Sequence, residues 1–341
     1  MQRPDLSSTE PEVRRYIETL EKRLGIGPVT DQDDADHTSD IFPQEPATTI
    51  SIITVSENCS AKRSYRHLYS RQHRGGMGVF DLEVNPPDFP TAIGIADEKQ
   101  TVLVFTNRAR VYRVGVQQFE SVSIRAKGGL PFERLGFEPG ETVQSILPEQ
   151  ARGYVAILGR SGKVRLLRHH LFGEHMKQGT VVFNVAEFGP LACACWTPGE
   201  AELFIITAAG MGIRFAEKTI SPQGDIGIRL GAGDTAVGVV SVTSDSNVFM
   251  IGADGRGTVR QMNGFAANKS TGGSGKIAFK NNLVVGAVAI DPADDLFVIS
   301  RLGKMIRFRA DEVPVTDGPV QGVNCINLRA DEVTGFARTI L

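Results

Sequence analysis

An arginine returns six times along this chain, each time after an apolar, strand-like run that breaks at a turn. The six are Arg63, Arg113, Arg165, Arg214, Arg260 and Arg307, at intervals of 50, 52, 49, 46 and 47 residues. They stand in similar segments, among them LGRSGKVR, TAAGMGIR, GADGRGTVR and SRLGKMIR. A period of roughly 40 to 50 residues built from strand-rich repeats marks a radial β-array, because one such repeat cannot bury its apolar faces alone. From about Thr48 to Leu341 the chain holds 294 residues, room for six repeats of 49. The expectation is an all-β, six-bladed propeller of four-stranded blades over 48–341. The 37 Gly and 17 Pro suit the many tight turns that such a body needs.

Four strand signals recur in each repeat. The first is apolar, at 50–55, 101–106, 153–158, 202–207, 247–251 and 295–300, and the second carries the arginine. A glycine-rich loop follows, and then a third signal, seen at 181–185, 226–230, 276–279 and 323–328. The fourth is short and rich in small residues, at 91–95, 235–240, 283–290 and 333–337, and contains Gly94, Gly238, Gly286 or Gly335. A glycine inside a strand suggests close backbone approach, as where blades crowd a central axis.

The first 47 residues read differently. Val13, Ile17, Leu20 and Leu24 recur at helical spacing, so residues 10–24 are expected to form a short amphipathic helix. Residues 25–47, including TDQDDADHTSD, are expected to be a disordered linker. This leader holds five Lys/Arg and eleven Asp/Glu, whereas the rest holds 32 and 28, giving −6 and +4. Such a leader could fold back on the basic body as an internal mimic of nucleic acid. MQRPDLSSTEPEV has no apolar core of a signal peptide, no run reaches transmembrane length, and four cysteines do not make a disulfide framework. The expected compartment is the cytoplasm.

The densest chemistry lies in the first repeat, where Gln72-His73-Arg74-Gly75-Gly76-Met77-Gly78 follows Lys62, Arg63, Arg66 and Arg71. Glycines let a backbone approach a polyanion closely, and arginines can contact phosphate in bidentate fashion. A loop of this kind suits sequence-independent binding to a duplex backbone, where counterion release supplies affinity. The bland reading is a solvated basic loop, and the residues alone favour neither.

Repeats of this length, with a Gln-Arg/Lys-Arg-Gly-Gly-Arg/Lys-Gly segment after the second strand of the first repeat, resemble the C-terminal domain of DNA gyrase A. That domain is a six-bladed β-pinwheel, and the segment is its signature box. Gln72, Arg74, Gly75, Gly76 and Gly78 match the box, while His73 and Met77 replace two of its basic residues and Cys59 stands where a turn glycine is usual. Segments such as LGRSGKVRLLRHHLF and ISRLGKMIRFRADEV also resemble its blades, so the likeness runs from about 48 to 341. The resemblance implies duplex DNA bent around the outer rim, with the box loop fixing how the wrapped segment is led away. Candidate phosphate contacts are then Lys62, Arg63, Arg66, Arg71, Gln72, His73 and Arg74, with Gly75, Gly76 and Gly78. The later blades add Arg110, Arg113, Lys163, Arg165, Arg214, Lys218, Arg256, Arg260, Lys276, Lys304 and Arg307. For any one arginine the bland reading is an ion pair inside its blade. His73 and Met77 should weaken wrapping or alter its geometry.

The partners implied are double-stranded DNA and a topoisomerase core encoded elsewhere, with no membrane and no small-molecule substrate. DNA gyrase A cuts DNA with a tyrosine on a winged-helix region of several hundred residues, which 47 residues cannot hold, so the chain is expected to be no enzyme by itself. No nucleophile–base constellation, metal site or cofactor motif stands out. GGSGK at 272–276 departs from a P-loop at Ser270 and Ile277 and reads as a degenerate copy of the box loop. His169, His170 and His175 read as a solvated or phosphate-facing loop, and Cys193 and Cys195 as packing residues near Trp196. The alternative is a propeller that has lost most DNA binding and serves as a protein-interaction scaffold.

Overall fold

The computed structural model describes residues 45–339, so the helix expected over 10–24 and nearly all of the linker expected over 25–47 lie outside the described residues. The rest is almost wholly β, with short 3-10 turns after the second strands of the repeats. The small-residue strands are Pro90–Asp97, Val143–Pro148, Leu191–Thr197, Ala236–Val242, Val284–Ile290 and Val333–Thr339. Each neighbours the next, and the last returns beside the first. They surround a central cavity of about 610 Å³. The closeness expected of the strand glycines is real: a Cβ on Gly94 would lie 2.4 Å from an Ile146 methyl, and one on Gly286 would lie 2.9 Å from the Phe336 ring. The result is a six-bladed propeller.

The core lies between blades rather than within them. Side chains alternate across a strand, so on Thr101–Thr106 Val102 and Val104 pack with repeat one while Leu103 and Phe105 pack with repeat three. Strands buried on both faces read as continuous apolar runs, which is how the first strand of every repeat reads. Fully burying a side chain such as Phe105 contributes about 1.5–3 kcal/mol. Six clusters of this kind join successive repeats around the ring. The seam between repeats six and one is the least extensive, with Ile52, Tyr69, Ile93, Phe297, Ile299 and Met305.

Two details differ from the sequence reading. The third strands are only two residues long, and each pairs with the preceding repeat rather than its own. Asp225–Ile226 of repeat four pairs with Lys163–Arg168 of repeat three, and Lys276–Ile277 of repeat five pairs with Met211–Ala216 of repeat four. Val79–Phe80 of repeat one pairs with Lys304–Arg309 of repeat six and so closes the ring. The sheet of repeat one has three strands, its fourth place being taken by isolated bridges such as Ala61 to Gly129.

The second difference concerns the arginines. Arg63, Arg113, Arg214 and Arg307 stand opposite Ile53, Leu103, Phe204 and Phe297, at equivalent register positions. Arg165 sits one residue earlier, opposite Ile157, and Arg260 one residue later, opposite Val248. A shift of one residue sends a side chain to the other face of its sheet. The equivalent positions in repeats three and five are held by Leu166 and Val259. Four of the six arginines are therefore structurally equivalent.

Candidate nucleic-acid interface

Three of the four equivalent arginines reach into the next repeat and donate to carbonyls at its 3-10 turn. Arg307 donates to the carbonyls of Arg66 (3.1 Å) and Tyr69 (3.0 Å), and Arg214 to those of Met262 and Phe265. Arg63 donates to Phe119 (3.2 Å) in the same way. A carboxylate backs each of them, Asp295 behind Arg307, Glu202 behind Arg214 and, at 3.8 Å, Glu98 behind Arg63. Arg113, at the equivalent place, pairs with Glu149 at 2.6 Å. Arg165 instead donates to Pro222 and Val182 carbonyls, and the buried Arg260 has no partner for Nε or Nη1.

This corrects the expected phosphate contacts. Lys62, Arg63, Arg66, Arg214, Arg260 and Arg307 are all buried. Most of them hold one repeat to the next, because a guanidinium offers five donors that can reach several carbonyls and a carboxylate at once. Lys62 is the extreme case: its Nζ lies 3.0 Å from Asp81 Oδ1 and 2.6 Å from the Asp81 carbonyl. Burial holds this ammonium below its usual pKa, although Asp81 pulls the other way.

The box loop lies on repeat six. Arg71 pairs with Asp295 at 2.9 Å, and His73, largely exposed, lies 3.2 Å from Glu312. Arg74 donates through its backbone N–H to Glu312 Oε2, through Nε to the Glu312 carbonyl (2.8 Å) and through Nη1 to the Asn324 carbonyl (3.2 Å). The N–H of Gln72 donates to the Arg307 carbonyl and that of Gly75 to the Cys325 carbonyl, both at 2.8 Å. Gln72 Oε1 accepts from the Gly78 N–H, which stiffens the loop, and Gly76 accepts through its carbonyl from Asn327. Gly78 has φ +69°, and a Cβ there would lie 2.7 Å from the Met305 carbonyl oxygen. The glycine is thus required by the approach to repeat six, in addition to any role toward a ligand. GGSGK at 272–276 takes the matching place in repeat five, where Gly273 bridges to Ile228 and Lys276 begins the strand lent to repeat four.

Glu45 lies at the same seam, 2.6 Å from Arg307 and also paired with Arg66. Burial raises its pKa, but hydrogen bonds and charge from the two arginines outweigh this and hold it below the usual glutamate range. A carboxylate depressed in the folded state adds stability above its unfolded pKa and loses it as the pH falls through the folded value. Glu45→Gln should therefore lower the urea midpoint at pH 7, and the difference from the parent should shrink as the pH falls through and below the usual glutamate range.

What remains for a ligand is on the rim. The first residue of the second strand is Arg110, Lys163, Arg256 and Lys304 in repeats two, three, five and six. Met211 takes that place in repeat four. Each position faces an outer strand lent by the next repeat, opposite Val181, Ile226, Asn324, Phe80 and Ile277 respectively. Arg110 pairs with Glu141 (2.7 Å), Lys163 with Glu187 (3.8 Å), and Lys304 lies over the Phe80 ring. Lys218 and Lys276 are exposed. Phe80, Val181, Ile226 and Ile277 are exposed too, so the rim alternates cations with apolar side chains. Sequence reasoning missed these four, because only the exchange of strands shows that they lie beside the cations.

Cys193 and Cys195 line the central cavity, and the Cys193 sulfur accepts from the Val239 N–H of the next blade. Burial pushes the Cys193 thiol up to about 12. Trp196 donates its indole N–H to the Pro148 carbonyl. Among the described residues no group of three or more His, Cys, Asp or Glu side chains is placed to hold a metal ion, and no helix is long and apolar enough to cross a membrane.

The chain matches the family model "DNA gyrase C-terminal domain, beta-propeller" over residues 100–128, 201–243 and 294–338. It is 28% identical over 313 residues to the DNA gyrase A protein of Escherichia coli K12, covering 88% of this chain and 35% of that protein. The same protein of Chlamydia muridarum is 30% identical over 295 residues, with 82% and 35% covered. The chain thus spans about a third of the length of the curated relatives it matches. Among solved structures, a DNA gyrase A C-terminal domain superposes with TM-score 0.74 at 19% identity, covering 85% of this chain and all of that one. The C-terminal domain of a DNA topoisomerase IV superposes with TM-score 0.60 at 17% identity, covering 86% and 94%. Repeat pattern, family model and relatives agree, and the chain has the six-bladed fold of the DNA gyrase A C-terminal domain and is similar to it in sequence.

Proposed function

We propose that the body binds duplex DNA without sequence preference along its rim and bends it, with no catalytic role of its own. The carrying observation is the series Arg110, Lys163, Arg256 and Lys304, one rim cation at the same register position in four repeats. Phosphate contacts of this kind position a duplex without reading its sequence. Smoothly bending 20–30 bp by 40–90° costs on the order of 1–6 kcal/mol, which several such contacts offset best at low salt. The apolar partners Phe80, Val181 and Ile226 would lie against sugar edges between phosphates. Delivery of the bent segment to a topoisomerase core, in the cytoplasm, is the role this reading suggests.

The test is a gel shift and a topology assay on relaxed circular DNA across a salt series. The expected result is a shift at 50 mM salt that weakens steeply by 200 mM, as counterion release requires. No salt-sensitive shift at 50 mM would overturn the reading. A second reading, a protein-interaction scaffold, draws support from the internal pairs that occupy Arg71, Arg110 and Arg113. It would be favoured by that negative result.

A further inference from the structure

The six-fold repetition of the rim leaves open where on it a duplex would be anchored. The box loop was the sequence's candidate, but Arg71, His73 and Arg74 all contact carboxylates or carbonyls of repeat six. Two other cations stand close to that loop. Arg256 and Lys280 line a concave notch of about 500 Å³ with Asp254, Asn281, Asn282, Leu283 and Gln321. Both cations are exposed, and neither side chain has a hydrogen bond or ion pair to another described residue. In this they differ from Arg110 and Lys163, whose charge is shared with Glu141 and Glu187.

The notch is held open by its backbone. The Ala253 N–H donates to the Leu283 carbonyl (2.8 Å), and the Lys280 N–H to the Val320 carbonyl (2.9 Å). Asp254 is the single carboxylate in the lining. Its Oδ1 accepts from the Arg256 N–H (3.1 Å) and from Asn281 Nδ2 (2.9 Å), so the acid is engaged in shaping the turn. Two cations with amide donors from Asn282 and Gln321 beside them suit an anion with several acceptor oxygens, and a phosphate has that form.

The notch also communicates with the box. Arg256 pairs in register with Asn324, and it is the Asn324 carbonyl that accepts from Arg74 Nη1. The neighbouring Cys325 carbonyl accepts from the Gly75 N–H. Strand Val323–Asn324 is therefore held by the box loop and is paired with Arg256, which lines the notch.

Resting on the rim reading above, we propose that the Arg256–Lys280 notch binds a backbone phosphate of the wrapped duplex. Arg74 acts on DNA as a positioning residue, by holding the strand whose Asn324 pairs with Arg256. The notch breaks the near equivalence of the blades and sets the phase of the wrap.

The experiment compares the parent with Arg256→Ala/Lys280→Ala, and with Lys99→Ala/Arg152→Ala as a charge-matched control. Affinity for a 150 bp duplex is measured across a salt series. The notch variant should flatten the log–log salt slope by about 2, one for each cation withdrawn from the phosphate backbone, and the footprint should lose its fixed phase. The control should do neither. Arg74→Ala should weaken binding in the parent and have no further effect in the notch variant. A parent that binds while the notch variant keeps the parental slope and footprint overturns the notch and leaves the rim reading standing. Equal effects of Arg74→Ala in both backgrounds overturn the positioning role. If the parent binds no duplex, the rim reading falls, and inorganic pyrophosphate decides the notch separately. NMR shifts of the Asn282 and Gln321 side-chain amides that vanish in the variant support an anion site there, and their absence overturns it.

Discussion

Replacing Arg307 by alanine should lower the stability of the body by about 3–5 kcal/mol, while replacing Arg260 by leucine should leave it unchanged or raise it by about 1 kcal/mol. The two residues belong to the same sequence series and are both buried. Arg307 joins Asp295 to the carbonyls of Arg66 and Tyr69 across the seam of repeats six and one. Its removal would leave the Tyr69 carbonyl unpaired, the Arg66 carbonyl with the Tyr69 N–H alone, and Asp295 with Arg71 as its remaining cation. Arg260 lies on the other face of its strand, with Nε and Nη1 unpartnered and its cation over the Phe265 ring. Burial lowers its pKa, the sign of a charge that its surroundings do not favour. A leucine there would remove buried donors that have no acceptor. Urea midpoints with an unchanged slope would measure both effects. Similar destabilisation by the two variants would show that register does not decide the arginines' role.

Lys62→Met should destabilise the body by a comparable amount, about 3–5 kcal/mol, because it leaves the buried Asp81 without its cation. Asp81 would keep the hydroxyls of Tyr69 and Thr54 (the latter at 2.8 Å), which stabilise a carboxylate without neutralising it. Its backbone ties three repeats together: the N–H donates to the Gly303 carbonyl and the carbonyl accepts from Arg125. Lys62→Met/Asp81→Asn should recover much of the stability, since a neutral pair removes the uncompensated charge. If the single variant unfolds at the parental midpoint, the pair contributes nothing to closing the ring. Lys62 was expected to contact phosphate. If that were its main role, the single variant would instead change DNA affinity at constant stability.

Much of the architecture could be read from residue order. A first strand such as Thr101–Thr106 is buried on both faces, so its apolar run is uninterrupted and easily seen. Gly94 and Gly286 sit where a side chain would strike the next blade, and they mark the inner strand. The third strands were overextended, because residues such as Ile228 and Phe279 are buried by contacts with other repeats rather than by strand pairing. Partner choice for a two-residue strand has no local signature. The box was recognisable as a motif, but its cations looked free, since the groups that engage them, Asp295, Glu312 and Asn324, lie more than 200 residues away.

By itself the sequence determined the number of blades, the strand order within each repeat and the glycines that the close approaches require. These follow from the spacing of apolar runs and turns, which are local properties. Tertiary structure decided which arginines are equivalent, which cations are committed to joining blades and which stay on the rim. The reason is that a one-residue difference in register turns a side chain to the opposite face, and the acceptors waiting there belong to the next repeat.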